Sequence, residues 1–253
     1  MIRTSAMFAF AIMAYLLGTV SLLYVAGFIA DFGVPKGISD GPQTSVWLAV
    51  LLDTGLVGLF GVQHSIAARA SFKRWWTQFV PRAFERATYL CMTAIMTGVL
   101  VYFWRPIPIT LWHVRSGIGA SALIAAYVGV WMLMCAATFS FGYFHFFGLA
   151  QAWRTFVQSP PSPANLSERY LYAFVRHPIS VGWMTAPLLV PHLTVGHLVF
   201  ATATALYILI ATPFEEADLL EEIGAPYAEY CKRVPRFVPS LGRRRTSDGP
   251  HGG

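Results

Sequence analysis

The chain has 253 residues, 56% of them hydrophobic and only 12% charged, with a mean hydropathy of +0.54. A soluble domain carries about 25% charged residues, so the composition excludes an ordinary water-soluble fold and points to the bilayer. The formal charge of +6 argues for no nucleic-acid partner, because the lysines and arginines sit in connections between apolar segments and form no binding face.

The first apolar segment, Met7 to Ala30, is long enough to cross about 30 Å of hydrocarbon. No small-residue cleavage site follows a brief apolar core, so it reads as a membrane helix. Further segments run from Val46 to Val62, Tyr89 to Trp104 and Gly117 to Phe139. The first two of these are short and read either as crossings or as partly buried helices of the bundle. Asp53 lies inside one of them, in "LLDTG"; an acid at that depth is costly, and is either neutral and hydrogen-bonded to a neighbouring helix or functional. Gln63 and His64, in "GVQHS", read as a locally bonded helix stop. The aromatic stretch "TFSFGYFHFFGLAQAW" reads as an interface belt, with His145 and Gln151 as lesser candidates for lining a pocket. Cys91, Cys135 and Cys231 match no CxxC or zinc spacing, so neither a metal site nor a structural disulfide is expected.

All of the 18 basic residues except Lys36, Arg105 and Arg115 fall before the first segment, in the 63–88 and 140–178 connections, or in the tail. The positive-inside tendency places those regions in the cytoplasm. The next apolar run, Ile179 to Thr212, would be about 51 Å long as one straight helix at 1.5 Å per residue, too long for a single crossing. Pro187 and Pro191 each remove an amide donor, and "VPHLT" offers a turn in which Thr194 caps the helix that follows. The run therefore reads as a hairpin whose first limb is a partial crossing that starts at Pro178, a favoured first helical residue. Folding back returns Arg176 and His177 to the same surface as Glu215 and Glu216, and the four can build one site. Gly182 permits close approach of a backbone or ligand. After the carboxylates, Leu219, Leu220 and Ile223 mark a helix ended by Gly224, and "APYAEYCKRVP" reads as a second short helix.

The succession "RHP", "GW", "PHLTVGHLVFATATALYILIATPFEEADL" and "GAPYAEYCKRVPRFVP" resembles the integral-membrane methyltransferases related to isoprenylcysteine carboxyl methyltransferase. The upstream strings "GVQHSIAARASFKRWW", "PRAFERATY", "VYFWRPIP" and "FGYFHFFGLAQAW" look like the bacterial branch that turns methanethiol into dimethyl sulfide. The resemblance spans about residues 7 to 240. It implies an all-α polytopic membrane bundle of about five transmembrane helices, with a carboxy-terminal helical hairpin and a cytosol-facing cofactor site in a bacterial inner membrane. One domain over 1–240 and a disordered basic tail over 241–253 are expected.

The cofactor implied is S-adenosyl-L-methionine, held by Arg176, His177, Pro178, Gly182, Glu215, Glu216, Tyr227 and Tyr230. The implied partners are a small volatile thiol and membrane lipid. His177 and Glu216 are the candidates for assisting thiol deprotonation. Many relatives carry a tyrosine two residues after the proline, where this chain has Ser180, leaving a gap that Trp183 is placed to fill. Methylation of another thiol or a lipid-borne carboxylate, and a non-enzymatic membrane scaffold, stand as alternatives.

Overall fold

The computed structural model describes residues 2–140, 149–157 and 168–239; His145, the side chain of Gln151 and the tail 241–253 lie outside the described residues. Five helices are long and apolar enough to cross a membrane: α1 Ile2–Ala30, α2 Val46–Ala68, α4 Glu85–Phe103, α5 Ile118–Phe139 and α8 Val195–Ile223. Shorter helices are α3 Ala70–Trp76, α6 Leu149–Phe156, α7 Pro178–Thr185 and α9 Ala225–Arg233. The protein is an all-α multi-pass membrane bundle, and large apolar side chains such as Leu16, Val20 and Leu23 of α1 stay exposed on its outside, as a lipid-facing surface requires.

Helix α2 runs six residues further than its apolar core, so Gln63 and His64 lie within the helix and do not stop it. The end comes at Arg69, where the backbone turns extended. Arg69 then reaches α8, where Nη1 donates to the Phe214 carbonyl at 2.7 Å and to Asp218 Oδ2 at 2.8 Å. Asp53 is fully buried and its Oδ1 accepts the Arg105 amide at 2.9 Å. Its partner is thus the backbone just after α4, which Lys36 also holds through the Tyr102 and Trp104 carbonyls.

The hairpin is present, with a first limb that is only partly helical. Helix α7 is followed by a 3₁₀ turn, Ala186–Leu188, and then open chain to the short strand β2, His192–Thr194. At about 1.5 Å and 2.0 Å per residue the two helical stretches advance about 12 and 6 Å, and the six residues from Leu189 to Thr194 advance up to about 20 Å at roughly 3.3 Å each. Together they are long enough to cover the roughly 32 Å from Val195 to Glu216 along α8. A limb too short to span as a helix therefore reaches across by unwinding, and its loosened backbone is bonded within the protein. The Val190 carbonyl accepts Trp112 Nε1 at 3.1 Å and the Pro191 carbonyl accepts the Val114 amide at 2.9 Å, the protection that non-helical backbone at membrane depth needs.

Strand β1, Thr110–His113, pairs antiparallel with β2, Thr110 opposite Thr194 and His113 opposite His192, with an irregularity between Thr110 and Trp112. This two-stranded cap closes the end of the bundle where α1 finishes and α8 begins. His197, 1% exposed, locks it. Its Nδ1 accepts the Thr194 amide at 3.2 Å, which puts the ring proton on Nε2, and Nε2 donates to the Ile29 carbonyl at 2.9 Å. The same ring thereby caps the start of α8 and satisfies a terminal carbonyl of α1. Beneath it, Phe28, Trp104 and Phe200 pack edge to face in the main core. Replacing His197 by Ala leaves both backbone groups unsatisfied, and is expected to destabilise the protein by roughly 2–4 kcal/mol, measured as a lowered midpoint of thermal unfolding in detergent.

Candidate active site

At the opposite end of the bundle the chain crosses itself three times at one carboxylate. Glu216, on the last turns of α8, is 8% exposed. Its Oε1 accepts Arg176 Nε at 2.8 Å, Arg176 Nη2 at 2.8 Å and His177 Nε2 at 3.0 Å, and its Oε2 accepts Arg236 Nε at 2.9 Å and Nη2 at 2.8 Å. Two guanidinium groups and an imidazole thus converge on one acid in charge-assisted contacts, each arginine meeting a single oxygen of it through Nε and Nη2. Backbone bonds zip the same segments together, with the Arg176 amide donating to the Pro235 carbonyl at 2.9 Å and the His177 amide to the Arg236 carbonyl at 3.1 Å.

Arg176 is fully engaged by the protein, because its Nη1 also donates to the carbonyls of Cys231, at 3.0 Å, and Val234, at 2.6 Å. The geometry makes it a clamp on the chain after α9. A carboxylate oxygen only accepts, so His177 Nε2 carries the proton in its bond to Glu216. Its Nδ1 faces Glu215, whose Oε2 lies 3.9 Å away, beyond hydrogen-bond distance, and whose side chain is 60% exposed. The two adjacent glutamates consequently have opposite surroundings, Glu216 enclosed by three cationic or protonated donors and Glu215 open.

Pro178 takes the first position of α7, as its fixed φ favours. Gly182 is buried against α5, where a Cβ would collide with the Met134 side chain; it seats α7 on α5. Tyr227 and Tyr230 are buried on the inner face of α9, their rings 6.0 Å apart, with Val234. The Tyr230 hydroxyl donates to the Tyr172 carbonyl at 2.7 Å. Burial pushes both phenols above their ordinary range, and the Tyr230 hydrogen bond pins α9 beside the hub. Trp183 turns into the bundle, packs against the main core and meets Trp131 edge-on at 5.3 Å. Arg236 was not a candidate from sequence; a lone arginine between two prolines, in a tail already rich in arginine, carries no distinguishing signal. Phe237, whose ring lies 5.8 Å from His177, was missed for the same reason.

An exposed acid, an imidazole edge and a half-exposed guanidinium around the hub suit a small zwitterionic or cationic ligand. Comparison with known proteins narrows this. Methanethiol S-methyltransferase 2 of Bradyrhizobium diazoefficiens is 42% identical over 244 residues, 96% of this chain and 94% of that protein. Methanethiol S-methyltransferase of Mycobacterium tuberculosis is 37% identical over 226 residues, 89% of this chain and 93% of that protein. The chain belongs to the methanethiol S-methyltransferase family. Nurim of Bos taurus is a more distant relative, 27% identical over 211 residues, 79% of this chain and 80% of that protein. No family model matches the chain, and no solved structure matches it.

For this member of the methanethiol S-methyltransferase family the two glutamates should separate in experiment. Glu216→Ala strands the buried Arg176 without its counter-charge, and should cost about 3–5 kcal/mol of stability, read as a large fall in thermal midpoint. Glu215→Gln should leave the midpoint within about a degree of wild type, since an exposed group away from special features contributes within about 0.5 kcal/mol. A Glu215→Gln protein as unstable as Glu216→Ala would refute the division of roles.

Proposed function

We propose that the protein transfers a methyl group from S-adenosylmethionine to methanethiol, giving dimethyl sulfide, S-adenosylhomocysteine and a proton, at the cytoplasmic end of a bundle in the bacterial inner membrane. The observation that carries this reading is the Glu216 hub with Glu215 open beside it, in a chain of this family. The methyl donor is a cation with an ammonium and a carboxylate at its amino-acid end. Glu215 is available to the positive groups. Arg236 spends Nε and Nη2 on Glu216, leaving Nη1 for a ligand carboxylate. Arg176 and Glu216 fix those two groups and hold Pro178, Tyr227 and Tyr230 in the wall around them.

When bound, the sulfonium supplies an electrophilic methyl group. The protein's part is to align a sulfur nucleophile with it at about 3–3.5 Å, the separation of a near-attack geometry. The nucleophile is the thiolate, since a thiol reacts poorly. His177 and Glu216 act in this scheme by orientation: five short contacts occupy the Glu216 oxygens, and the His177 proton is committed to one of them. The basic residues gathered at the site end, Arg69, Lys73, Arg74, Arg82 and Arg86 among them, support a cytoplasmic orientation.

Purified protein in lipid should convert methanethiol and S-adenosylmethionine to dimethyl sulfide, detected by headspace gas chromatography. The reading fails if the methyl donor binds but only a prenylated cysteine carboxylate is methylated. It fails more completely if a folded preparation does not bind the donor in isothermal titration. Arg236→Ala should raise the dissociation constant for S-adenosylmethionine by about tenfold or more, the scale of a lost hydrogen bond to a charged group. For orientation, a cysteine probe at Gly37 should react with an impermeant reagent added outside intact cells, while one at Arg82 should not.

A further inference from the structure

The end of the bundle away from the hub carries a pair of histidines that the methylation site does not use. His113, the last residue of β1, and His192, the first of β2, are direct partners across the antiparallel pair. Their rings lie 4.6 Å apart, centre to centre, at 29° to one another. His113 is exposed and His192 half-buried. The backbone beneath them is fixed: Trp112 Nε1 donates to the Val190 carbonyl at 3.1 Å and the Val114 amide to the Pro191 carbonyl at 2.9 Å. The residues on both sides of His113 are thus fastened to the two that precede His192.

The Thr110 hydroxyl oxygen lies 3.1 Å from His192 Nε2. The tautomer protonated at Nε2 donates to Thr110 and keeps a lone pair on Nδ1, the outer hydrogen bond by which a metal-binding histidine is oriented. Neither ring nitrogen of His113 has a hydrogen-bond partner among the described residues. A metal bound at about 2.0–2.1 Å from an imidazole nitrogen sits about 3.2 Å from the ring centre. Rings whose centres are 4.6 Å apart then subtend about 90° at one ion. That is the angle between neighbouring ligands in a tetragonal site, and is narrower than the roughly 109° of a tetrahedral one. Among the described residues no group of three or more histidine, cysteine or carboxylate side chains gathers as for a metal, so the pair supplies two ligands and water the others.

We propose that His113 and His192 form a surface site for one divalent copper ion, which fastens the hairpin bend to the α4–α5 connection. Divalent copper favours nitrogen ligands at tetragonal angles and heads the affinity order of the first-row divalent ions. On the proposed orientation this end faces the periplasm, an oxidising compartment that suits the divalent state. The ion adds a cross-link between β1 and β2 at the bend from which α8 starts. It stabilises the folded chain because the unfolded chain does not hold the two rings together. It lies at the far end of α8 from Glu216 and takes no part in methyl transfer.

Full-length protein without a polyhistidine tag, in lipid nanodiscs and a weakly coordinating buffer, is titrated with copper(II) chloride. Electron paramagnetic resonance should show one ion per chain with hyperfine structure from two ring nitrogens. The thermal midpoint should rise by several degrees at saturating copper. His113→Asn and His192→Asn should each weaken copper binding by at least tenfold, and Thr110→Val, which removes only the outer hydrogen bond, by about tenfold. The metal-free midpoints of the two histidine variants should stay within about a degree of wild type, which reports folding. His251→Asn, a control for the tail, should bind copper as wild type does. Copper bound equally well after either substitution of the pair overturns the proposal, as does a wild-type spectrum with a single nitrogen ligand. Failure of the wild type to bind copper at micromolar concentration also overturns it and leaves the rings as a packing contact of the cap. The wild-type spectrum decides between these outcomes even where a variant fails to fold.

Discussion

The Glu216 carboxylate is the point on which the site end of the molecule depends. Three stretches far apart in the chain, before α7, at the end of α8 and after α9, have no apolar core joining them comparable to that of the spans. They are joined by the bonds that Arg176, His177 and Arg236 make to this one acid. Burying a charge is costly unless it is paired and hydrogen-bonded, and here each carboxylate oxygen meets its own arginine. On the proposed scheme the enclosure that makes Glu216 stable also keeps it from acting as a base, and its part is to set the positions of its neighbours.

The other end of the bundle supplies the second constraint. His197 ties α1 to the start of α8, and the β1–β2 cap takes up the backbone between the two hairpin limbs. With α8 fixed there, Glu216 lies about 32 Å away along the helix, and the first limb must cover the same distance with fewer residues. It does so by leaving the helix. Gly182 lets α7 lie directly on α5, and Pro187 and Pro191, which cannot donate to a helix, fall where the chain is 3₁₀ or open. The position of His177 against Glu216 is thus a consequence of where the hairpin unwinds.

The spans were legible because twenty or so apolar residues have one stable form in hydrocarbon. The hairpin was legible from its length and its prolines, and Arg176, His177, Glu215 and Glu216 were legible as a group once the run folded back. Other features left no such mark. The strands "TLWH" and "HLT" are too short for alternation to register. Helix α2 continues past Val62 because "QHSIAA" holds no breaker, and its polar face is turned to α4, which no single segment reveals. Pro213 suggests an ending, yet α8 runs through it to Ile223. Arg236 matters only through a partner at a distant position, and sequence spacing carries no information about it. The unequal fates of Glu215 and Glu216 follow from the turn of one helical residue, about 100°, which places one carboxyl inside and the other at the surface.

That turn has an energetic consequence for turnover. The hub pairs two guanidinium groups with one carboxylate, and Glu215 is a second carboxylate beside it, across His177. The methyl donor carries a sulfonium, an ammonium and one carboxylate, so it brings one net positive charge to a site where Arg236 faces its carboxylate and Glu215 its positive groups. If Glu215 holds the sulfonium, methyl transfer removes the charge it was holding, because the departing thioether is neutral at sulfur. The attraction is then lost on the product side alone, and the site should favour the methyl donor over the demethylated product by the Coulomb energy of one partly exposed pair, about 1 kcal/mol at 4 Å in water and more where solvent is excluded. On this scheme a fixed internal ion cluster and one open carboxylate bias the site toward releasing its product without any moving part.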